Sequence, residues 1–398
     1  MPYPPNKGDK VRSYHLLQHL VRRHRVFLGT FIDDPDDEKH VDTVRGLCAG
    51  SHFARLAPPS ARLRSLRQML NGGALTVGYY RDAALAHWAR ETIAQQGIDT
   101  AIVFSSSMAQ YVEDPAALHT LVDFVDVDSE KWMQYARAHR WPLSWIYRRE
   151  GRALRAYERS IASAAQRVYF TTTNEAALFT GLVPDLAGKV EVMGNGVDAS
   201  FFSPDPARVS PFPLGHTPVV FTGAMDYWPN VDAVSWFAKE VMPALHQRNG
   251  SACLYVVGRN PGPEVRALAG DAVVVTGTVP DVRPYLQHAA VAIAPLRVAR
   301  GIQNKVLEAM AMARPVVVSK TCGDALEASV GVDLVHANDA ADYVREIELL
   351  LSNRQRGEEI GRAGRSRVLA TYSWETRLSC IDLQIHRTLE PTDVEPCG

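Results

Sequence analysis

Short runs of apolar, mostly β-branched residues alternate along this chain with longer stretches whose apolar positions recur at helical spacing. That alternation predicts parallel sheets with crossover helices rather than an all-β or all-α packing. In the N-terminal half the apolar runs lie at 26–32, 101–105, 121–127, 168–172 and 190–193, with helices near 9–21, 82–96, 148–165 and 174–179. In the C-terminal half they lie at 218–222, 252–257, 273–276, 291–294 and 315–319, with a weaker one at 334–335. Between the halves, 202–218 holds Pro204, Pro206, Pro211, Pro213, Gly215 and Pro218. Proline fixes φ and has no amide to donate, so 203–217 is predicted to be a linker. The domains expected are therefore 1–202 and 218–371, with 372–398 a returning helix and tail. The chain opens Met1-Pro2-Tyr3-Pro4-Pro5-Asn6-Lys7-Gly8, a loop leading into a helix. Doubly wound domains normally open on a buried strand, so a first strand is expected to be missing, through a late start codon or truncation.

Composition narrows the class. A chain of 398 residues exceeds what one core usually serves. Lys+Arg 43 nearly balance Asp+Glu 44, for a net charge of -1, so no nucleic-acid partner is expected and any basic surface must be local. The five cysteines contain no Cys-x-x-Cys pair, which argues against a disulfide framework and a zinc site and fits a cytoplasmic location. No apolar run approaches the roughly 20 residues that span a bilayer.

The segment 296–320, LRVARGIQNKVLEAMAMARPVVVSK, reads as strand end, loop, helix and strand. Ligands of open α/β sheets bind beyond the strand carboxyl ends, so the loop 297–303 is the expected contact region. Gly301 lets backbone approach closely, and the start of the following helix (Ile302, Gln303, Asn304) offers amides to an anion. Such a dipole contributes about 0.3–1 kcal/mol and a charged hydrogen bond about 1.5–3 kcal/mol, so Lys305 and Arg300 should dominate in holding a pyrophosphate. Glu308, one turn on, is the candidate for ribose hydroxyls. A surface Lys–Glu pair at i,i+3 is the alternative.

This segment resembles the donor-binding element of retaining glycosyltransferases of family 4. Their GT-B fold joins two Rossmann-like domains across a cleft, and they carry two glutamates with seven residues between them, the second opening EAMA-x-x-x-PVV. Here the second glutamate is Glu308, while Arg300 stands at the first position. The resemblance extends to VMGNGVDASFFSP (192–204), VVFTGAMDYWPNVDAVSWF (219–237), TYSWE (371–375) and PYPPNKGDKVRSYHLLQHL (2–20), the last being similar to the subgroup accompanying PEP-CTERM/exosortase exopolysaccharide systems. It implies an α/β GT-B chain that moves a sugar, with retention, from a nucleotide-sugar donor to a glycan or polyprenyl-linked acceptor, without a metal or other cofactor. It also implies ribose recognition by Glu308, donor-phosphate contacts at Gly8 and Gly223, and stabilisation of leaving-group charge by Lys305, Arg300 and backbone amides. Lys7, Lys10 and Arg12 would add nearby positive charge, or would simply be solvated helix-face charges. A GT-B epimerase and a non-catalytic sugar-nucleotide binder are the rival readings.

Three further stretches have two readings each. Asp126-Val127-Asp128 ends a strand, where Asp126, as a catalytic candidate, or Asp128, on the acceptor side, would touch an acceptor hydroxyl or the sugar, or both would cap a helix into Ser129 and Glu130. Two aspartates alone make a poor octahedral site, so no metal is expected there. Gly194-Asn195-Gly196-Val197-Asp198-Ala199 has dinucleotide-binding spacing, but Phe201-Phe202-Ser203-Pro204 follows where a helix is required, which favours a turn. Residues 131–159 mix Trp132, Trp141 and Trp145 with many arginines, and Arg62, Arg64 and Arg67 add to them. That mixture suits a peripheral contact with the anionic inner face of a membrane; an ordinary helix face with its aromatics buried is the alternative.

Overall fold

The computed structural model describes residues 1–5, 8–70, 72–115, 117–298 and 302–389. The chain divides into two compact units, Met1–Gly194 together with the chain from Leu378 onward, and Asn195–Arg377. The division falls upstream of Phe202 because Val197 already belongs to the second unit. Val197 is 5% exposed in that unit's core, and its amide donates to Tyr372 O at 2.8 Å. Pro204 through Gly215 forms no strand or helix.

Among the described residues the first unit carries six strands, each parallel to the neighbours it pairs with: β1 (Phe27–Ile32), β2 (Gly50–Arg55), β3 (Thr100–Phe104), β4 (His119–Val125), β5 (Arg167–Phe170) and β6 (Val190–Val192). They form two ladders, β1-β2 and β3-β4-β5-β6, rather than one continuous sheet. β2 was not expected from the sequence, because Gly-Ser-His-Phe-Ala-Arg has neither an apolar run nor clean alternation. β4 stops before the predicted residue 127: its register with β5 slips between Asp123 and Val125, and Val125 sits at φ 69. A β-branched residue at positive φ is strained, and Ser105, just past β3, is at φ 73.

The second unit has one parallel sheet of β7 (Thr217–Thr222), β8 (Ala252–Val257), β9 (Val273–Gly277), β10 (Val291–Ala294), β11 (Val316–Ser319) and β12 (Val335–Ala337). Their order is β12-β11-β10-β7-β8-β9. Both faces are covered by helices, so the strands read as unbroken apolar runs; every residue of β8 and β10 is buried. From β7 the chain builds outward through β8 and β9, then returns to the other side of β7 with β10. That reversal makes a crevice at the carboxyl ends of β7 and β10.

The last helix, Trp374–Leu389, begins in the second unit and ends in the first. Leu378, Ile381 and Ile385 are buried, and Asp382 accepts from His19 Nε2 at 2.9 Å. No described helix is long and apolar enough to cross a membrane.

Candidate donor site

The crevice of the second unit is built from backbone first. Gly223 follows β7 at φ 156, and a Cβ there would stand 2.8 Å from Asn230 Nδ2 and 3.2 Å from Lys305 Nζ. A Cβ on Gly258, after β8, would fall 1.6 Å from Gly223 O. Both positions therefore require glycine, and the first keeps space clear beside the lysine.

Lys305 lies in the first turn of the helix Asn304–Ala311. Its ammonium donates to Asn230 Oδ1 at 2.5 Å and sits 4.4 Å from the centre of the Phe221 ring. Asn230 is 4% exposed and is fixed by its Nδ2 donating to Ala224 O at 2.8 Å. Burial pulls Lys305 down to about 8, with Cys322 and Glu308 opposing. Glu308 is pushed up to about 7 by burial, against the pull of Lys305. The two do not form the surface i,i+3 ion pair, since both are half-buried and lie beyond salt-bridge distance. Among the described residues no carboxylate neutralises Lys305. A desolvated cation held by a neutral amide and a ring is suited to take up an anion, whose charge offsets the cost of burial.

The remaining donor-side residues divide in two. Ile302 packs on the unit's core, Gln303 is the N-cap of the 304–311 helix without a side-chain cap bond, and Asn304 Oδ1 is buried with no hydrogen-bond partner. Arg300 and Gly301 lie outside the described residues, as does Lys7. Gly8 opens the helix Gly8–Val21 of the first unit. Asn230 was not anticipated; its one signal is its place in the first turn of the helix Trp228–Glu240, directly after the β7 glycine turn.

Within the first unit, Lys10 and Arg12 are neither solvated nor free. Arg12 is 1% exposed and makes a bidentate pair with Asp123 on β4, Nε to Oδ2 at 2.6 Å and Nη2 to Oδ1 at 3.0 Å. Lys10, 3% exposed, pairs with buried Asp37. Their charge is spent on these carboxylates, and the helix that carries them also buries Leu16, Leu17 and Leu20.

Asp126 and Asp128 come together on Lys131, whose Nζ lies 2.9 Å from Asp126 Oδ2 and 3.0 Å from Asp128 Oδ1. Burial works against its charge, yet Asp128 and Asp126 hold Lys131 protonated well above the usual lysine range. Thr171 Oγ1 donates to Asp126 Oδ1 at 3.1 Å. Neither aspartate caps the helix Asp128–Ala138: Val127 N donates to Glu175 at 2.8 Å and Ser129 N to Glu158 at 3.0 Å. Gly194 to Ala199 leads into turns and not a helix, as dinucleotide binding would require.

The fold is that of GT-B glycosyltransferases, α/β with parallel sheets. It is shared with sucrose-phosphate synthase from Thermosynechococcus elongatus, at 17% identity and TM-score 0.65 over 96% of this chain and 94% of that one. Anabaena HepE in complex with UDP is similar at 13% identity and TM-score 0.63 over 95% of each chain. WaaG, a glycosyltransferase involved in lipopolysaccharide biosynthesis, is similar at 14% identity and TM-score 0.56 over 96% and 97%. Residues 216–353, which contain Gly223, Asn230, Lys305 and Glu308, match the family model for glycosyl transferases group 1. No curated protein matches the chain in sequence.

Proposed function

We propose that this chain is a glycosyltransferase that moves a sugar from a nucleotide-sugar donor to a glycan or polyprenyl-linked acceptor, with retention and without an obligatory metal, in exopolysaccharide biosynthesis. The single observation that carries this reading is the Lys305 ammonium. It stands at a topological switch point beside Gly223 and the start of a helix, with Asn230 Oδ1 at 2.5 Å as its hydrogen-bond acceptor. A donor diphosphate would take the ammonium charge, which is needed most as the leaving phosphate gains negative charge. Half-buried Glu308, one turn along, would accept from ribose hydroxyls. The GT-B fold favours a uridine nucleotide as the first donor class to test, since HepE is a UDP complex.

On the acceptor side, Asp126 would meet the reacting sugar and Asp128 the acceptor, both oriented by Lys131. An ammonium between two carboxylates also disfavours a divalent ion there. The chain would work at the inner face of a membrane, where a polyprenyl-linked acceptor resides.

The test is a hydrolysis screen of nucleotide sugars without acceptor, in the presence of EDTA. Slow release of nucleoside diphosphate from one donor class is expected, because water replaces the acceptor. A complete loss of activity in EDTA that a divalent ion restores would overturn metal independence. Turnover to an epimerised sugar would favour the epimerase reading, and donor binding without turnover the non-catalytic one.

A further inference from the structure

The helices Asp128–Ala138 and Leu143–Ala164 form a hairpin in the first unit. Its tip is apolar and exposed: Trp141 is 80% exposed, Trp145 54% and Leu143 44%. Large apolar side chains normally bury their area, so two tryptophans and a leucine exposed within five residues need a partner. Charge surrounds them. Arg137, Arg140, Arg148 and Arg152 are exposed, and among the described residues none has an ion-pair partner. The four acids of the hairpin are committed to other groups: Glu130 to Arg155, Asp128 to Lys131, buried Glu158 to the amide of Ser129 at 3.0 Å, and Glu150, fully buried, to the amides of Leu75 and Thr76 at 2.7 and 2.9 Å. The chain as a whole is near neutral, so this concentration of unpaired arginine is local.

Beside the tip lies an open hollow of about 440 Å³ lined by Gly72, Trp145, Arg148, Arg149, Arg152 and Ala153. Arg149 is anchored there by Nη2 donating to Gln68 O at 3.1 Å and Gly73 O at 3.0 Å. Arg148 and Arg152, four residues apart on one helix face, remain to meet an anion. Phosphate monoesters and diesters fit a guanidinium pair of this kind.

We infer that this hairpin docks on a lipid surface bearing anionic phosphate headgroups. Trp141, Leu143 and Trp145 enter the headgroup and acyl boundary while Arg148 and Arg152 hold headgroup phosphates. The apolar tip decides for a bilayer over a nucleic acid: indole and leucine gain by leaving water for the boundary, which a polyanion in solution does not offer. This names the surface behind the peripheral location proposed above. Its test reads vesicle binding and not sugar transfer, so its failure would leave the donor-site reading untouched.

The experiment is vesicle flotation with the full chain, on phosphatidylcholine alone and on phosphatidylcholine mixed with phosphatidylglycerol, with tryptophan emission recorded in parallel. Flotation only with the anionic vesicles, and a blue shift of emission, are expected. Arg148→Gln with Arg152→Gln should weaken partitioning about thirtyfold, since each basic residue near the surface contributes about a factor of five. Trp141→Ser with Trp145→Ser should remove the blue shift, while circular dichroism reports an unchanged fold. No flotation with anionic vesicles would overturn the inference, as would equal partitioning of both variants and the native chain. Displacement by millimolar inorganic phosphate would overturn it in favour of a free-phosphate site, and a preference for an oligonucleotide over vesicles in favour of a nucleic-acid surface.

Discussion

Both units withdraw cationic side chains from water near the carboxyl ends of parallel strands, yet the two units treat them oppositely. In the first unit Arg12 is closed off by a bidentate carboxylate, and Lys10 by Asp37. In the second unit Lys305 has a neutral amide and an aromatic ring for company, and burial lowers its proton affinity. A neutralised buried charge is fixed in one arrangement and serves as a strut between elements. An un-neutralised one costs stability in the free protein, and a ligand of opposite sign can offset that cost. Burial alone does not mark the difference, because Arg12 and Lys10 are buried and Lys305 is half-buried; the presence or absence of a carboxylate partner does.

Removing the strut should have the largest effect. Arg12→Ala leaves Asp123 buried without its partner and should lower stability by about 3–5 kcal/mol in denaturant unfolding. An unchanged midpoint would erase the contrast. Lys305→Ala should instead lower turnover roughly a hundred- to a thousandfold, with acceptor KM nearly constant and stability kept. Equal kinetics in mutant and native chain would remove Lys305 from the mechanism. Glu308→Gln should weaken nucleoside diphosphate binding about tenfold in calorimetry at a pH above the raised Glu308 value of about 7, where a carboxylate that accepts from both ribose hydroxyls is replaced by an amide with one accepting oxygen. Affinity that does not move would leave Glu308 a packing residue.

The smallest effect is the pH dependence. Lys305 has a lowered value of about 8 in the free protein, and an anion favours the protonated form. Affinity for the diphosphate should hold below that value and fall as pH rises through it, by at most about tenfold per pH unit. The Lys305→Ala chain should lack this slope.

The strands of the second unit were legible because each is an apolar run with both faces covered. β2 of the first unit was not, because Ser51, His52 and Arg55 break its pattern. Lys305, Glu308 and Gly223 stand out in sequence from the strand, glycine turn and helix that hold them. The fate of Lys10 and Arg12 was hidden, since a helix-face charge carries no mark of the carboxylate it will meet. Asp123 lies 111 positions from Arg12. For the same reason Asn230, 75 positions from Lys305, becomes part of the site only when β7 and β10 lie side by side.

The most direct test of the contrast is the Lys305 side-chain pKa, followed by NMR with and without UDP. A value near 8 is expected in the free chain, climbing past the ordinary lysine range once the diphosphate is bound. A Lys305 signal whose titration is the same in both samples would contradict it.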